Sequence, residues 1–234
     1  MSSIFKFKQF EIDQTGCAMK VNTDGVLLGA MVNHHTPMRI LDIGTGTGVI
    51  ALMLAQRFPG AIIHAIEIDQ QASETAKKNF QFSVFNDRLS VENVALEQYN
   101  SVERFDLIVS NPPFFVNDLK NDEHRKGIAR HAGVDFFEMM VKKSAELLSE
   151  NGKIWLILPV KQANDVIAKA SEFGLSLCDR INLHSDKTKP TFRQIICLSN
   201  SKMPLKETDF YIYEALKQNT QEYKILLKDF FLAF

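Results

Sequence analysis

The chain has 234 residues, 45% of them hydrophobic and 24% charged, with 11 Gly and 7 Pro, which excludes a disordered or fibrous protein and fits one globular domain of ordinary size. Lys and Arg total 27 against 28 Asp and Glu, so the net charge is −1 and no global positive field marks a polyanionic partner; a nucleic-acid site has to be a local patch. Cys17, Cys178 and Cys197 include no C-x-x-C pair, which speaks against a disulfide framework or a zinc site and for small apolar residues in a reducing compartment.

In chain order, residues 1–14 carry no apolar leader core and no later window approaches about 18 uncharged apolar residues, so a cytoplasmic protein without a membrane span is expected. From Arg39 to Leu158, strand-length apolar runs alternate with segments of helical period. The strands are predicted at 39–43, 61–67, 89–93, 105–110 and 153–158, with helices at 49–58, 70–82 and 134–149. That alternation predicts an α/β fold whose sheet is mostly parallel and covered by helices on both faces. A further helix is predicted at 163–172. Two β-rich runs, 175–183 and 191–198, flank a polar loop and read as an antiparallel hairpin near the C-terminus. Aromatic clusters in the last 32 residues are expected to pack back on the domain, and Trp155, inside a strand, to be core.

Two stretches carry chemistry. Leu41-Asp42-Ile43-Gly44-Thr45-Gly46-Thr47-Gly48 follows a strand and opens a helix, so its glycines allow a sharp turn and close approach of a ligand. Glu67 ends the next strand, 23 residues after Gly44, where a carboxylate can accept hydrogen bonds from both hydroxyls of a ribose. Asp69 reads as the N-cap of the following helix. A dinucleotide fingerprint needs glycine at 49, where this chain has Val49. The G-x-G-x-G form led by Asp42 resembles motif I of class I S-adenosylmethionine (SAM) methyltransferases, which implies a Rossmann-like fold with a seven-stranded sheet. The cationic sulfonium and ammonium of SAM suit a nearby carboxylate. By the same resemblance Thr45, Ile68 and Asn111 join the cofactor set. Ala95 stands where many relatives carry an acid against the cofactor's adenine, so backbone groups are expected to make that contact.

The second stretch, Asn111-Pro112-Pro113-Phe114, ends the fourth predicted strand on the rim of the glycine turn. Two prolines fix the chain extended and remove two backbone donors. An exocyclic amine conjugated to a ring is a poor nucleophile. The Asn111 side-chain oxygen and the Pro112 carbonyl can accept its two N–H bonds and favour the pyramidal form that attacks a methyl group, while Phe114 offers a stacking face. The tetrapeptide resembles that of amino-methyltransferases acting on adenine N6, cytosine N4 or glutamine N5, and does not choose among them.

Residues 5–12 and 18–30, taken with motif I, N-P-P-F and the Arg130-His131 pair, are similar to the bacterial tRNA1(Val) (adenine(37)-N6)-methyltransferase family over nearly the whole chain. The resemblance implies methyl transfer from SAM to adenine N6 in a tRNA anticodon loop. It also implies that residues 20–29 cover the cofactor, with Lys20, Thr23 and Asp24 near it; Thr23 or Asp24 could also cap a helix start. Between Arg180 and Lys202 five basic residues face one acid, Asp186, and Lys187, Lys189, Arg193 and, earlier, Arg130 are candidate RNA contacts. The expectation is a monomeric, metal-free single domain. Residues 1–38 form a cofactor-covering segment, 39–200 the core and 201–234 a C-terminal packing extension. Alternatives are glutamine N5 methylation of a translation factor and a non-catalytic RNA-binding module.

Overall fold

The computed structural model describes residues 3–15, 17, 19–113 and 134–234, with side chains in the last segment described from Phe136 onward. The chain opens with a small antiparallel hairpin, β1 (Ile4–Lys6) and β2 (Glu11–Asp13), and then α1 (Thr23–Met31). The alternating part follows as β3 (Arg39–Ile43), α2 (Val49–Arg57), β4 (Ile62–Glu67), α3 (Gln70–Phe82), β5 (Leu89–Asn93) and β6 (Phe105–Ser110). Beyond it lie α4 (Val134–Leu147), β7 (Leu148–Leu158), α5 (Val160–Ala170), a 3-10 turn at Ser171–Phe173, β8 (Ser176–His184) and β9 (Thr191–Ser199). The C-terminal part holds β10 (Lys206–Tyr211), the short pair β11 (Tyr213–Ala215) and β12 (Gln218–Asn219), and α6 (Gln221–Leu227).

The main sheet has the order β10-β8-β9-β7-β6-β3-β4-β5. Neighbours from β5 to β7 pair in parallel, β7 and β8 each pair antiparallel with β9, and β10 pairs parallel with β8. Two successive antiparallel pairings turn β8 to run with β7. The carboxyl ends of β4, β3, β6, β7, β8 and β10, and the amino end of β9, therefore lie on one rim.

Alternation of side chains along the strands builds two cores, one on each face. Ile40, Ile63, Leu107, Val109, Trp155, Ile157 and Ile195 point to the face covered by α1, α2 and α3. Leu41, Ile66, Ile108, Ile154, Leu156, Leu158 and Ile196 point to the face covered by α4 and α5. Each such aliphatic side chain, fully withdrawn from water, contributes about 1.5–3 kcal/mol of transfer free energy. Both faces being buried explains why the central strands read as unbroken apolar runs.

The structure departs from the sequence expectation in three places. The sheet has eight strands rather than seven, because Lys206–Tyr211 of the C-terminal extension adds in parallel along β8. β7 begins at Leu148, not 153, since Leu148 pairs with Phe105 before a register shift. The N-cap of α1 is Asn22 rather than Thr23 or Asp24: its side chain accepts the Gly25 N–H at 2.9 Å. In line with the expectation, Cys178 and Cys197 are buried free thiols; they face each other across β8 and β9 with their sulfurs 3.1 Å apart.

The aromatic residues of the two termini meet. Phe5 and Phe7 pack on Phe231, and the Lys8 ammonium donates to the carbonyls of Lys228 and Phe234. Among the described residues no helix is long and apolar enough to cross a membrane.

Candidate active site

The glycine turn joins β3 to α2, and Gly44, Gly46 and Gly48 all take positive φ (70°, 58° and 85°), a region costly for residues with a Cβ. Their surroundings differ. A Cβ on Gly44 or Gly46 would meet nothing within 4 Å, so the backbone there borders open space that a ligand can enter. A Cβ on Gly48 would stand 2.5 Å from the Phe80 ring of α3, so the third glycine serves close packing of α2 on α3. Gly44 and Thr45 both donate to the Ile66 carbonyl, which locks the turn onto the end of β4.

Glu67 is 8% exposed, and its carboxylate accepts the N–H of Gly46 at 2.8 Å and of Asp69 at 3.0 Å. It thus spans the gap between the glycine turn and the start of α3, and each oxygen keeps a second lone pair for a ligand. Asp69 caps α3 as expected, accepting the Ala72 N–H at 2.8 Å. Ile68 between them is 59% exposed, an apolar side chain standing free at the rim.

Asp42 is fully buried. One carboxylate oxygen accepts the Thr45 hydroxyl at 2.7 Å, and the other closes no hydrogen bond of standard geometry among the described residues. Burial pushes its carboxyl up to about 7, against the pull of the Thr45 hydroxyl and the nearby Ala51 N–H; the negative Glu67 adds to the rise.

The register of β3 and β6 brings the two motifs together. Ile43 pairs with Ser110, whose hydroxyl donates to the Ile43 carbonyl at 2.8 Å, so Gly44 and Asn111 leave the sheet side by side. Asn111 is half-buried, Pro112 buried and Pro113 exposed. The Asn111 amide has no hydrogen-bond partner among the described residues. On the other side, Asn93 at the end of β5 donates to the carbonyls of Glu67 and Ile68 at 2.8 and 3.1 Å. Ala95 is half-buried; its carbonyl accepts the Gln98 and Tyr99 N–H groups, and its own N–H has no partner among the described residues. Phe114, Arg130 and His131 lie outside the described residues.

Other expected site residues are placed differently. Thr23 and Lys20 are exposed at the start of α1, while Asp24 is engaged by Arg193 of β9 at 3.0 Å. Of the five basic residues counted between 180 and 202, Arg193 is therefore tied to Asp24 and Arg180 to Glu207 of β10 at 3.5 Å. Lys187 and Lys189 are exposed on a turn built by Asp186, whose carboxylate accepts the Thr188 N–H at 2.8 Å. The positive patch is smaller than the sequence count suggests, because parallel pairing of β10 with β8 brings Glu207 beside Arg180 and the packing of α1 on the sheet brings Asp24 beside Arg193.

One organising residue escaped the sequence reading. Asn79, buried on the inner side of α3, donates to the Thr47 carbonyl of the glycine turn at 2.8 Å and to the Asp13 carbonyl of β2 at 3.0 Å, and accepts the Asp13 N–H at 2.9 Å. Its signal was a polar amide on the apolar face of an amphipathic helix, between Ala76 and Phe80.

Open space over Gly44 and Gly46, a carboxylate at the end of β4 and a second buried carboxylate with an oxygen free of hydrogen bonds fit a cationic nucleoside cofactor. The family described as Methyltransferase small domain matches residues 17–173. The tRNA1(Val) (adenine(37)-N6)-methyltransferase of Pedobacter heparinus is 55% identical over 234 residues, covering 100% of both chains. The protein of the same name from Trichodesmium erythraeum is 42% identical, covering 98% of each chain. Among solved structures, a predicted O-methyltransferase from Agrobacterium tumefaciens shares the fold with a TM-score of 0.70 at 18% identity, over 88% of this chain and 96% of that one. The chain belongs to the small-domain methyltransferases and, within them, to the tRNA1(Val) (adenine(37)-N6)-methyltransferase family.

Proposed function

We propose that this protein transfers the methyl group of SAM to the N6 amine of adenine 37 in the anticodon loop of tRNA1(Val), the activity that names its relatives. The observation that carries the reading is the Ile43–Ser110 register, which sets the glycine turn and Asn111 next to each other on one rim, with Glu67 one strand away. This adjacency supports direct transfer between a cofactor held at the turn and an acceptor amine held at Asn111.

SAM supplies an electrophilic methyl group on a sulfonium. The residues that would hold it are Gly44 and Gly46 through their backbone, Thr45 beside them, Glu67 at the ribose and Asp42 toward the ammonium. Exposed Ile68 and the Ala95 N–H would serve the cofactor's adenine, and Lys20 and Thr23 would stand at the α1 side. Asn111 Oδ1 and the Pro112 carbonyl accept the two N–H bonds of the acceptor amine. That favours the lone-pair-bearing form in the transition state, and the proton leaves for solvent afterwards. Phe114 is assigned the stacking face for the base. An anticodon-loop base is already unpaired, so its extrusion costs less than opening a duplex.

Lys187 and Lys189 support an RNA substrate because their turn lies on the same rim as Asn111, beyond the carboxyl end of β8. Arg130 is assigned to the same role. Such a substrate places the reaction in the cytoplasm. The test is incubation with labelled SAM and an unmodified tRNA1(Val) transcript, followed by nucleoside mapping. N6-methyladenosine at position 37 is expected; label confined to a protein glutamine, or at another nucleotide, would overturn the reading.

A further inference from the structure

The ion pair between Asp24 and Arg193 joins residues 169 positions apart, with Arg193 Nε 3.0 Å from Asp24 Oδ2 and the side chains 17% and 28% exposed, respectively. Asp24 lies in the first turn of α1. That turn rests on the first turn of α2: a Cβ on Gly25 would lie 3.6 Å from Val49 Cγ1 and 3.7 Å from Ile50 Cγ1. Since Val49 directly follows Gly48, the start of α1 borders the glycine turn. Arg193 comes from the sheet. It precedes Gln194, which pairs with Leu158 at the carboxyl end of β7, so it stands on the rim that carries Asn111. Its guanidinium is held by a bond from Nη1 to the Phe192 carbonyl at 3.0 Å and lies 5.9 Å from the Phe192 ring centroid.

We infer that Arg193 is a positioning residue for cofactor capture: through Asp24 it holds the first turn of α1 against the glycine turn. The inference rests on the SAM-binding reading above and changes the part of both residues, Asp24 from cofactor ligand to anchor point and Arg193 from RNA contact to anchor. Three features support it. The far end of α1 has its own tie, Arg57 Nη1 to the Gly29 carbonyl at 2.8 Å, which leaves the near end dependent on other contacts. Among the described residues, Asp24–Arg193 is the ion pair that links α1 to the sheet. An acid in a first helical turn also interacts favourably with the helix dipole, which adds to the hold that Arg193 has on this end of α1. A cover held in its bound position before the ligand arrives lowers the ordering cost of binding, so the pair should act on affinity and spare the chemical step.

The experiment is calorimetric titration of SAM into the full-length wild type and into Arg193→Ala, Arg193→Lys, Asp24→Arg and the charge-swapped double variant Asp24→Arg/Arg193→Asp, with tRNA kinetics on each. Arg193→Ala is expected to weaken SAM binding about fivefold, the scale of a partly buried pair, with kcat at saturating SAM and KM for tRNA changed less than about twofold. Arg193→Lys should stay near wild type, and the swap should recover most of what Asp24→Arg loses. Should Arg193→Ala fold less well, the Lys and swap variants carry the test alone. Unchanged SAM affinity with a raised KM for tRNA would make Arg193 an RNA contact and overturn the inference. A swap that fails to rescue would leave Asp24 a direct ligand and overturn it as well. A wild type that binds no SAM would instead overturn the cofactor reading itself, and this inference with it.

Discussion

The Glu67 carboxylate accepts the backbone N–H of Gly46 at 2.8 Å, so the acid at the end of β4 fixes the shape of the glycine turn while facing the space above it. Replacing it removes the turn's brace and, on the proposed reading, the ribose contact. With each charge-assisted hydrogen bond contributing about 1.5–3 kcal/mol, Glu67→Ala should weaken SAM binding at least about tenfold by titration calorimetry, and Glu67→Gln should lose less because one oxygen acceptor survives. Affinity unchanged in both variants would reject the ribose assignment.

On the proposed reading Asn111 acts chiefly on the acceptor amine, beside the cofactor turn. Asn111→Ala should therefore bind SAM like the wild type and lose about 10²–10³ in kcat, the scale of removing one oriented polar group from a transition state. Single-turnover methylation of tRNA under saturating SAM measures this, and normal turnover would remove Asn111 from catalysis.

The glycines of the turn predict two different failures. Gly48→Ala drives a Cβ into the Phe80 ring at 2.5 Å in addition to its strained φ of 85°, and should lower the melting temperature markedly. Gly46→Ala meets open space, so it should cost only about 1–2 kcal/mol of backbone strain yet reduce SAM affinity by narrowing the approach. Thermal melts with and without SAM separate the two.

Asp42 gives a pH signature. Its carboxyl sits at about 7 in the folded chain against 3.8 for an ordinary aspartate, so the folded state holds a proton that the unfolded state has released across that interval. The resulting stability contribution is fully present below about pH 3.8 and is lost as pH rises through about 7. Asp42→Asn should flatten that decline in denaturant titrations. A bound ammonium favours the ionised form, so wild-type SAM affinity should rise from pH 6 to 8 by about severalfold, whereas the Asn variant should stay flat. A wild type and variant that track each other would place the cation elsewhere.

Lys187 and Lys189, with Lys202, are the exposed remainder of the basic stretch after Arg180 and Arg193 find acidic partners. Lys187→Glu/Lys189→Glu should raise KM for tRNA by about tenfold, leave SAM affinity alone and lower the salt slope of binding by about two charges' worth. Indifference to the change would point to a protein acceptor.

The strands β3, β4 and β6 were legible because both-face burial makes apolar runs, α2 because its consecutive buried residues 49–55 make an apolar segment of helical length, and α3 because one-face burial makes an amphipathic helix. The glycine turn, Glu67, Asp69 as a cap and the Asn-Pro-Pro sequence were legible because positive φ, capping and loss of backbone donors each demand particular residue types nearby in sequence. The eighth strand was not, since Lys206–Tyr211 is mostly exposed and its partner β8 supplies the reason for its conformation. Asn22 displaced Thr23 and Asp24 as the cap because a helix start is fixed by packing to within a residue or two, which propensity does not resolve.

The sequence by itself therefore determined the fold class, the cofactor turn and the chemistry of the acceptor motif, all carried by local backbone geometry and side-chain periodicity. Tertiary structure alone decided which charges stay free and which are anchors. Asp24 with Arg193, Arg180 with Glu207 and Asn79 with Thr47 are contacts between segments remote along the chain, and a short-range code does not specify what helix packing and strand pairing will bring together.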